Sequence, residues 1–536
     1  MILYKKALGL SVLLFFLGVG FIYHNKMNTD VRSLNEKLEL LTSKLSKTEK
    51  TSEENSDIVR SWACLQPKVK DTVVQIFAHM AQINLLEPYK SPNQYEATGS
   101  GFFISEDKLI TNAHVIDQAK AIYIQIPSFG KKRFTVQVVG ISPERDLAVL
   151  QLQDKELQEI KKGLGKISHL TLGDSDSVHR ADEIMALGYP LGQQSLKSTT
   201  GVVSGREMHM IQISAPINPG NSGGPSLNCQ GEVIGVNSAG IMEAQNVGYI
   251  IPSNEVKLFL KQIEQMPENG SIKLLRRPYL GILYNNASEE LINYLGNPQP
   301  GGLYVVETIK GSPLQKAGIL SGDMIYAING HTIDIFGDVT VPGSEDKLSI
   351  VSYLSRLALG DDINLLVYRN GKKHKIKFKF EQVKTGIGRI FPGYEDIDYE
   401  ILGGMVLMQL SLNHLPLLVK VSPELARFAD PKNQATPAVA ITHIFPDSEA
   451  LRSRALAVGG ILSEINGQKI ETLDDVRKAI KRSSSTGNLT IKTSEHVFTV
   501  LNFDQMLKDE KKLSATYFYP VSKTLQPLMP KDHKAA

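Results

Sequence analysis

Three residues have the types that acyl transfer requires. The stretch "INPGNSGGPSL" (217–227) carries Ser222, with Gly220 two places before it and Gly223 and Gly224 directly after. A serine hydroxyl becomes a nucleophile only when a base takes its proton. The base needs a partner that holds its tautomer, and the tetrahedral intermediate needs N–H donors for its oxyanion. His114, at the end of the apolar run "ITNAHVI", is a candidate base. Asp146, opening "RDLAVLQL", is a candidate orienting acid. A glycine-rich turn lets successive backbone N–H groups converge, and those of Gly220 and Ser222 form the natural oxyanion pair. Gly, Pro, Asn and Ser also favour turns for purely local reasons. Alone, Ser222 reads as a turn, His114 as a hydrogen-bonded structural residue and Asp146 as a turn acid. Their joint occurrence, each at the edge of an apolar run in one stretch of chain, weighs for chemistry.

The elements that must position them are strands. Between about residues 60 and 268, short β-rich runs such as "TVVQIFA", "GSGFFIS", "FTVQVVGI" and "GEVIGVNS" alternate with Gly-rich turns. This texture predicts a barrel or sandwich. A helix, "SNEVKLFLKQIEQM", closes the segment, with Ser253 or Asn254 expected as its cap. Two smaller α+β units follow, at 270–383 and 400–500. Their cores, "VVETIKGSPLQKAGILSGDMIYAINGHTI" and "AITHIFPDSEALRSRALAVGGILSEINGQKI", share one order: strand, Pro-containing turn, short helix, Gly, strand, Asn-Gly turn. Such self-similarity implies duplicated modules, and Asn329-Gly330 is a strong hairpin signal. The tail, 506–536, with its Lys and Pro, reads as partly extended.

The chain of 536 residues is long enough for several domains. Its formal net charge of +3, with acids and bases interspersed, argues against a nucleic-acid surface. There is no H-E-x-x-H, and Cys64 and Cys229 match no metal spacing, so no metal or other cofactor is expected. Whether those cysteines pair is open. Lys5 and Lys6 precede an uncharged run over 7–23, which as a helix rises about 26 Å, close to the ~30 Å of a bilayer core. A signal-anchor with everything after residue 26 outside the cytoplasm is the favoured reading. A cleaved signal peptide is the alternative, although no small-x-small site follows. Met27, Val31, Leu34, Leu38, Leu41 and Leu45 then recur at spacings of four and three, the mark of a short coiled-coil stalk, with a single amphipathic helix lying on the membrane or the protein as the alternative.

The order His, Asp, Ser matches the chymotrypsin arrangement and not those of subtilisin or the α/β-hydrolases. Taken with "GSGFFIS…LITNAHVI", "LGDSDSV…IMALGYPLG" and "NVGYIIPSNEV", the chain resembles the HtrA (Deg) serine proteases over roughly 60–385, and more weakly to 500. The resemblance implies a mostly β fold: a chymotrypsin-like double β-barrel followed by two α+β PDZ-like domains. The expected domains are an anchor (1–26), a coiled-coil stalk (27–59), a protease domain (60–268), a first PDZ domain (269–384), a second PDZ-like domain (385–505) and a tail (506–536).

The resemblance also implies an ATP-independent serine endopeptidase of misfolded extracytoplasmic proteins in a bacterial periplasm. In it His114 is base, Asp146 orienter and Ser222 nucleophile, with the N–H groups of Gly220 and Ser222 as oxyanion hole. Ile217 and Asn237 fall near the pocket for the residue before the scissile bond, and the absence of an acid there implies an aliphatic preference. Tyr279, Leu280, Gly281 and Ile282 fall where the first PDZ domain captures a C-terminal carboxylate, and "LGGMV" (402–406) where the second would. Trp62 falls at the contact of a homotrimer. Two departures stand out. Ser214 occupies the place of the family's usual acid, and the link from "VVSGRE" to "MIQIS" is short. The competing readings are a regulatory protease of one membrane protein and an inactive-protease chaperone or PDZ scaffold.

Overall fold

In the computed structural model the described residues are Lys37, Trp62 and 65–530, without 241–246, 269–271, 342–345, 383–384 and 484–486. The chain divides into Met1–Pro67 and Lys68–Ala536. The expected anchor, Cys64 and all of the expected stalk except Lys37 lie outside the described residues. Among the described residues no helix is long and apolar enough to cross a membrane, and Cys229 carries a free thiol.

The first β-rich stretch supplies β1 (Val73–Gln82), β2 (Asn93–Phe103), β3 (Lys108–Thr111), β4 (Ala119–Gln125), β5 (Arg133–Ser142) and β6 (Leu147–Leu152). They run β5-β4-β1-β2-β3-β6, and β5 pairs again with β6 to close a barrel. The period-2 alternation of a strand sends Val74, Ile76, Ala78 and Met80 of β1 inward, where they meet Phe103, Leu109, Ile124 and Phe134. A second barrel closes through β7 (Glu183–Gly188), β8 (Lys197–Glu207), β9 (Met210–Ile213), β10 (Pro225–Leu227), β11 (Val233–Gly240) and β12 (Gly248–Pro252), in the order β10-β11-β12-β9-β8-β7. The short link noted in the sequence is a two-residue turn, Met208-His209, between the paired Glu207 and Met210.

The helix expected after β12 spans Ser253–Gln265, but its cap is Pro252 and carries no side-chain hydrogen bond. Ser253 and Asn254 instead tie the helix start to the barrel, donating to Gly173 O and to the Asp174 carboxylate. A short β13 (Lys273–Leu274) then runs parallel to β5.

The duplicated modules have matching sheets. The first orders β14 (Ile282–Asn286), β15 (Leu303–Thr308), β16 (Met324–Ile328), β20 (Asp362–Arg369) and β21 (Lys372–Lys379), with β17 (His331–Thr332) beside β16. Between them, β18 (Asp338–Val339) pairs with β19 (Leu348–Ser349), which leads into the helix Ile350–Ser355. The second module orders β22 (Tyr399–Leu402), β23 (Met405–Gln409), β24 (Val439–Ile444), β25 (Ile461–Ile465), β27 (Asn488–Thr493) and β28 (Phe498–Asn502), with β26 (Gln468–Lys469) beside β25. Both Asn-Gly turns take positive φ at both residues, 50° and 86° at Asn329-Gly330 and 49° and 73° at Asn466-Gly467, as the expected hairpin turn requires.

The tail does not start extended. Phe503–Tyr517 is a helix whose Phe503, Met506 and Leu507 enter the second module's core. Their spacing is that of one helix face, which outweighed the surrounding lysines. The insertion 408–437 folds into short helical turns around Leu415, Leu418, Leu425 and Phe428. It docks on the first barrel's 83–92 loop, where His414 lies 3.2 Å from Leu85 O, and β24 adds a second contact through Thr442 Oγ1, which donates to Leu86 O at 2.9 Å.

Candidate active site

His114 and Asp146 are brought together by the first barrel. Asn112, fully buried just after β3, donates its amide to Asp146 O at 2.9 Å. Asp146 stands before β6 with φ 55°, a left-handed turn that short acidic side chains tolerate. Its carboxylate lies 2.9 Å from His114 Nδ1 through each oxygen and accepts the His114 backbone N–H at 3.0 Å. An ionised carboxylate only accepts, so the proton of neutral His114 sits on Nδ1 and the lone pair on Nε2.

Ser222 comes from the loop before β10. Its hydroxyl donates to Ser238 O at 2.9 Å, and among the described residues no hydrogen bond joins it to His114. Ser238 spans the two halves, because its own hydroxyl donates to Asp146 Oδ2 at 2.8 Å. The Leu191 N–H donates to Pro219 O at 2.6 Å, which turns the 219–220 peptide so that the Gly220 N–H faces away from Leu191. Neither that N–H nor the Ser222 N–H donates to any described residue. Ser100 of β2 clamps the loop from the other barrel: its Oγ donates to Gly220 O at 2.6 Å and its N–H to Ser222 O at 2.8 Å. Gly220, at φ 97°, leaves no room for a side chain, since a Cβ would stand 2.3 Å from Tyr189 O.

Ile217, nearly buried, belongs to the second barrel's core. Asn237, expected at the pocket, has no exposed surface. Its amide donates to Leu187 O at 3.0 Å and accepts from Ser226 at 2.7 Å, so it buttresses the loop from behind. Ser214 stitches the barrel, its hydroxyl accepting the Val202 N–H at 2.9 Å. In the first of the two smaller modules, Gly281 takes φ 78° between the buried Leu280 and Ile282, with Tyr279 half-exposed beside them.

Two site residues escaped the sequence reading. Ser100 had a signal, a serine between Gly99 and Gly101, where a second chain segment can approach closely. Ser238 had none, because its role depends on two loops meeting. A third feature came from far along the chain. An open cleft of about 690 Å³ runs beside His114 and Asp146, and its far side is built by Arg389–Pro392, Leu412, Asn413, Pro416 and Leu417. Burial raises the carboxyl of Asp117, which lines the same cleft, above the usual range.

Two closed β-barrels with a serine loop of one facing a His–Asp pair of the other define a trypsin-like serine peptidase architecture. The trypsin-like peptidase domain family matches residues 99–236, and the PDZ domain family residues 278–380. A probable periplasmic serine endoprotease DegP-like of Chlamydia trachomatis is 29% identical over 430 residues, covering 77% of this chain and 76% of its own. Serine protease Do-like HtrA of Bacillus subtilis is 31% identical over 319 residues, covering 54% of this chain and 65% of its own. A solved structure of the HtrA-type protease AlgW with decapeptide is 26% identical and covers 60% of this chain and 99% of its own, with a TM-score of 0.45. The chain is a serine endopeptidase with a PDZ domain, and its sequence is similar to those of the HtrA/Deg proteases.

Proposed function

We propose that the chain hydrolyses peptide bonds of unfolded or misfolded extracytoplasmic proteins, without ATP, through His114, Asp146 and Ser222. The observation that carries this reading is the His114–Asp146 pair facing a serine loop with two unengaged N–H groups. Ser222 leaves Ser238 O, gives its proton to His114 Nε2 and attacks the carbonyl carbon. Asp146 stabilises the imidazolium that forms. The Gly220 and Ser222 N–H groups receive the oxyanion. His114 then protonates the leaving amine, and water repeats the sequence on the acyl-enzyme. An extended apolar segment enters beside Ile217, in keeping with an aliphatic preference, since folded proteins hide such residues. C-terminal peptides add to the first PDZ module at Tyr279–Ile282.

The N-terminal run tethers the chain to the inner membrane, a trimer forms around the region of Trp62, and the periplasm is the compartment. The names of the DegP-like relatives support that location. The test is cleavage of unfolded casein by residues 27–536. Wild-type cleavage that vanishes in Ser222→Ala supports the reading, and cleavage that survives in Ser222→Ala sinks it.

One contact favours peptide-controlled, site-specific cleavage as a second reading. Arg145, adjacent to Asp146, donates to Ser355 O at 3.2 Å, at the end of the helix beside the first PDZ groove. A substrate screen with and without added C-terminal peptides separates the two, because the regulatory reading requires a narrow, peptide-dependent set.

A further inference from the structure

The second PDZ-like module repeats the first closely enough to reveal what differs. Gly281 and Gly404 correspond. Both have positive φ, 78° and 87°, and a Cβ on either would meet the Cβ of a serine, Ser312 at 2.2 Å or Ser448 at 2.1 Å. Each serine caps a one-turn helix, accepting the N–H of Gln315 or Leu451 at 3.2 Å. Each glycine carbonyl accepts a backbone N–H at 2.8 Å, from Ile309 or Phe445. β23 is therefore the counterpart of β14, and the helix Leu473–Ser483, which follows β26, is the counterpart of Ile350–Ser355.

The outer edges of these two strands differ. Among the described residues β14 pairs only with β15, so its other edge is open. β23 pairs with β24 on one side and with β22 on the other, in antiparallel register from Tyr399↔Met408 to Leu402↔Met405. β22 thus runs as an added peptide strand would and ends at the glycine loop. Leu402, in the place of a terminal side chain, is fully buried in the module's core. Arg477, on the flanking helix, holds the rest. It donates to the Asp398 carboxylate at 2.6 Å and to the nearly buried Glu400 carboxylate at 3.1 Å.

We propose that the second module's peptide groove is filled by the chain's own residues 398–402, and that it takes no C-terminal peptide from another molecule. Recognition of such peptides then falls to the first module, a clause that rests on the function proposed above. The internal strand is joined to β23 through Gly403-Gly404 alone, so its effective concentration is about millimolar or higher. A free peptide with an intrinsic Kd of about 10 μM would then bind this groove roughly 100-fold more weakly. The Gly403 peptide bond also continues the chain where a ligand carboxylate would end. With its groove closed, the module's remaining contacts hold the 83–92 loop: Tyr89 packs edge-on against Phe445, ring centroids 5.4 Å apart.

The experiment uses the full chain carrying Ser222→Ala and a short peptide ending in Tyr-Glu-Ile-Leu, with a free carboxylate and an upstream benzophenone. After photolysis, mass spectrometry maps the label. The expected result is no label on 405–409 or 473–483, and appearance of that label once Glu400→Ala and Leu402→Ala loosen β22. Label at these positions before the loosening overturns the proposal. So does their absence from a loosened chain that keeps its thermal transition. Hydrogen exchange in the parent needs no loosening: amides of 405–409 are protected without peptide and gain nothing with it, and a gain there refutes the internal ligand. Label on 279–286 is read separately, and its absence counts only against peptide capture by the first module.

Discussion

The buried pair beneath Asp146 gives the sharpest test of how the fold holds its site. The Arg145 side chain is 1% exposed and that of Glu255 8%, with Nε and Oε2 3.5 Å apart. Arg145 also donates to Gln262 Oε1 at 2.8 Å and to Ser355 O at 3.2 Å. Arg145→Met keeps much of the stem's volume but strands the Glu255 carboxylate, whose Oε2 already lacks a hydrogen-bond partner. Breaking a buried pair from one side costs about 3–5 kcal/mol, and nearby Arg277 sets the lower end here. At about 2–4 °C per kcal/mol, the transition falls by roughly 6–20 °C. Adding Glu255→Gln removes the stranded charge, and loss of both partners is commonly neutral or stabilising.

Burial already raises the Glu255 carboxyl above the ordinary range. An acid whose folded pKa is raised contributes stability at low pH and loses it as pH rises through that pKa. The Arg145→Met deficit must therefore be larger at pH 8 than at pH 5. The assay is a double-mutant cycle by calorimetry at both pH values, on Ser222→Ala to prevent self-cleavage. If the double variant is as unstable as Arg145→Met and the deficit ignores pH, the charge argument is wrong and the lost contacts to Gln262 and Ser355 explain the effect.

Four further outcomes follow from the geometry. Asp146→Asn lets Nδ1 accept rather than donate, and steady-state cleavage of a fluorogenic peptide should fall about 10⁴-fold in kcat. Gly220→Ala sets a Cβ against Tyr189 O and displaces one oxyanion donor, costing about 10²–10³ in kcat and lowering the melting transition as well, read by calorimetry beside steady-state kinetics. Burial pushes the Glu510 carboxyl, hydrogen-bonded to Tyr519, up to about 7 from 4.5. Stability from its protonated form is complete below about pH 4.5 and lost as pH rises through 7, so Glu510→Gln should stabilise by ~3 kcal/mol at pH 8 and by little at pH 4.5, read from denaturant midpoints. Leu417→Asp puts a charge in the cleft beside His114 and should raise KM for apolar peptides while kcat holds, as initial rates over a substrate series will show.

The strand texture and the Asn-Gly turns were legible because each is a local property, written in alternating apolar residues and in backbones that favour positive φ. The three chemical residues were legible because each sits in a tight turn with its own composition. Asn237 was misplaced because the sequence marks a polar residue on a strand but not the side it faces. The cap of Ser253–Gln265 was misread for a related reason: Ser253 and Asn254 found partners across the barrel at Gly173 and Asp174, a tertiary competition that no local rule contains. Ser238 and the 389–417 wall depend on segments far apart in the chain, and nothing in either segment announces the other.

That wall makes the surroundings of the base a joint product of two distant parts of the chain. The His114 barrel bounds the cleft on one side and Ile390, Phe391 and Leu417 bound it on the other, so segments far apart in the chain share one surface beside the base. A chain cut short after the first PDZ module would keep the same serine, histidine and aspartate and lose one whole side of the cleft beside them.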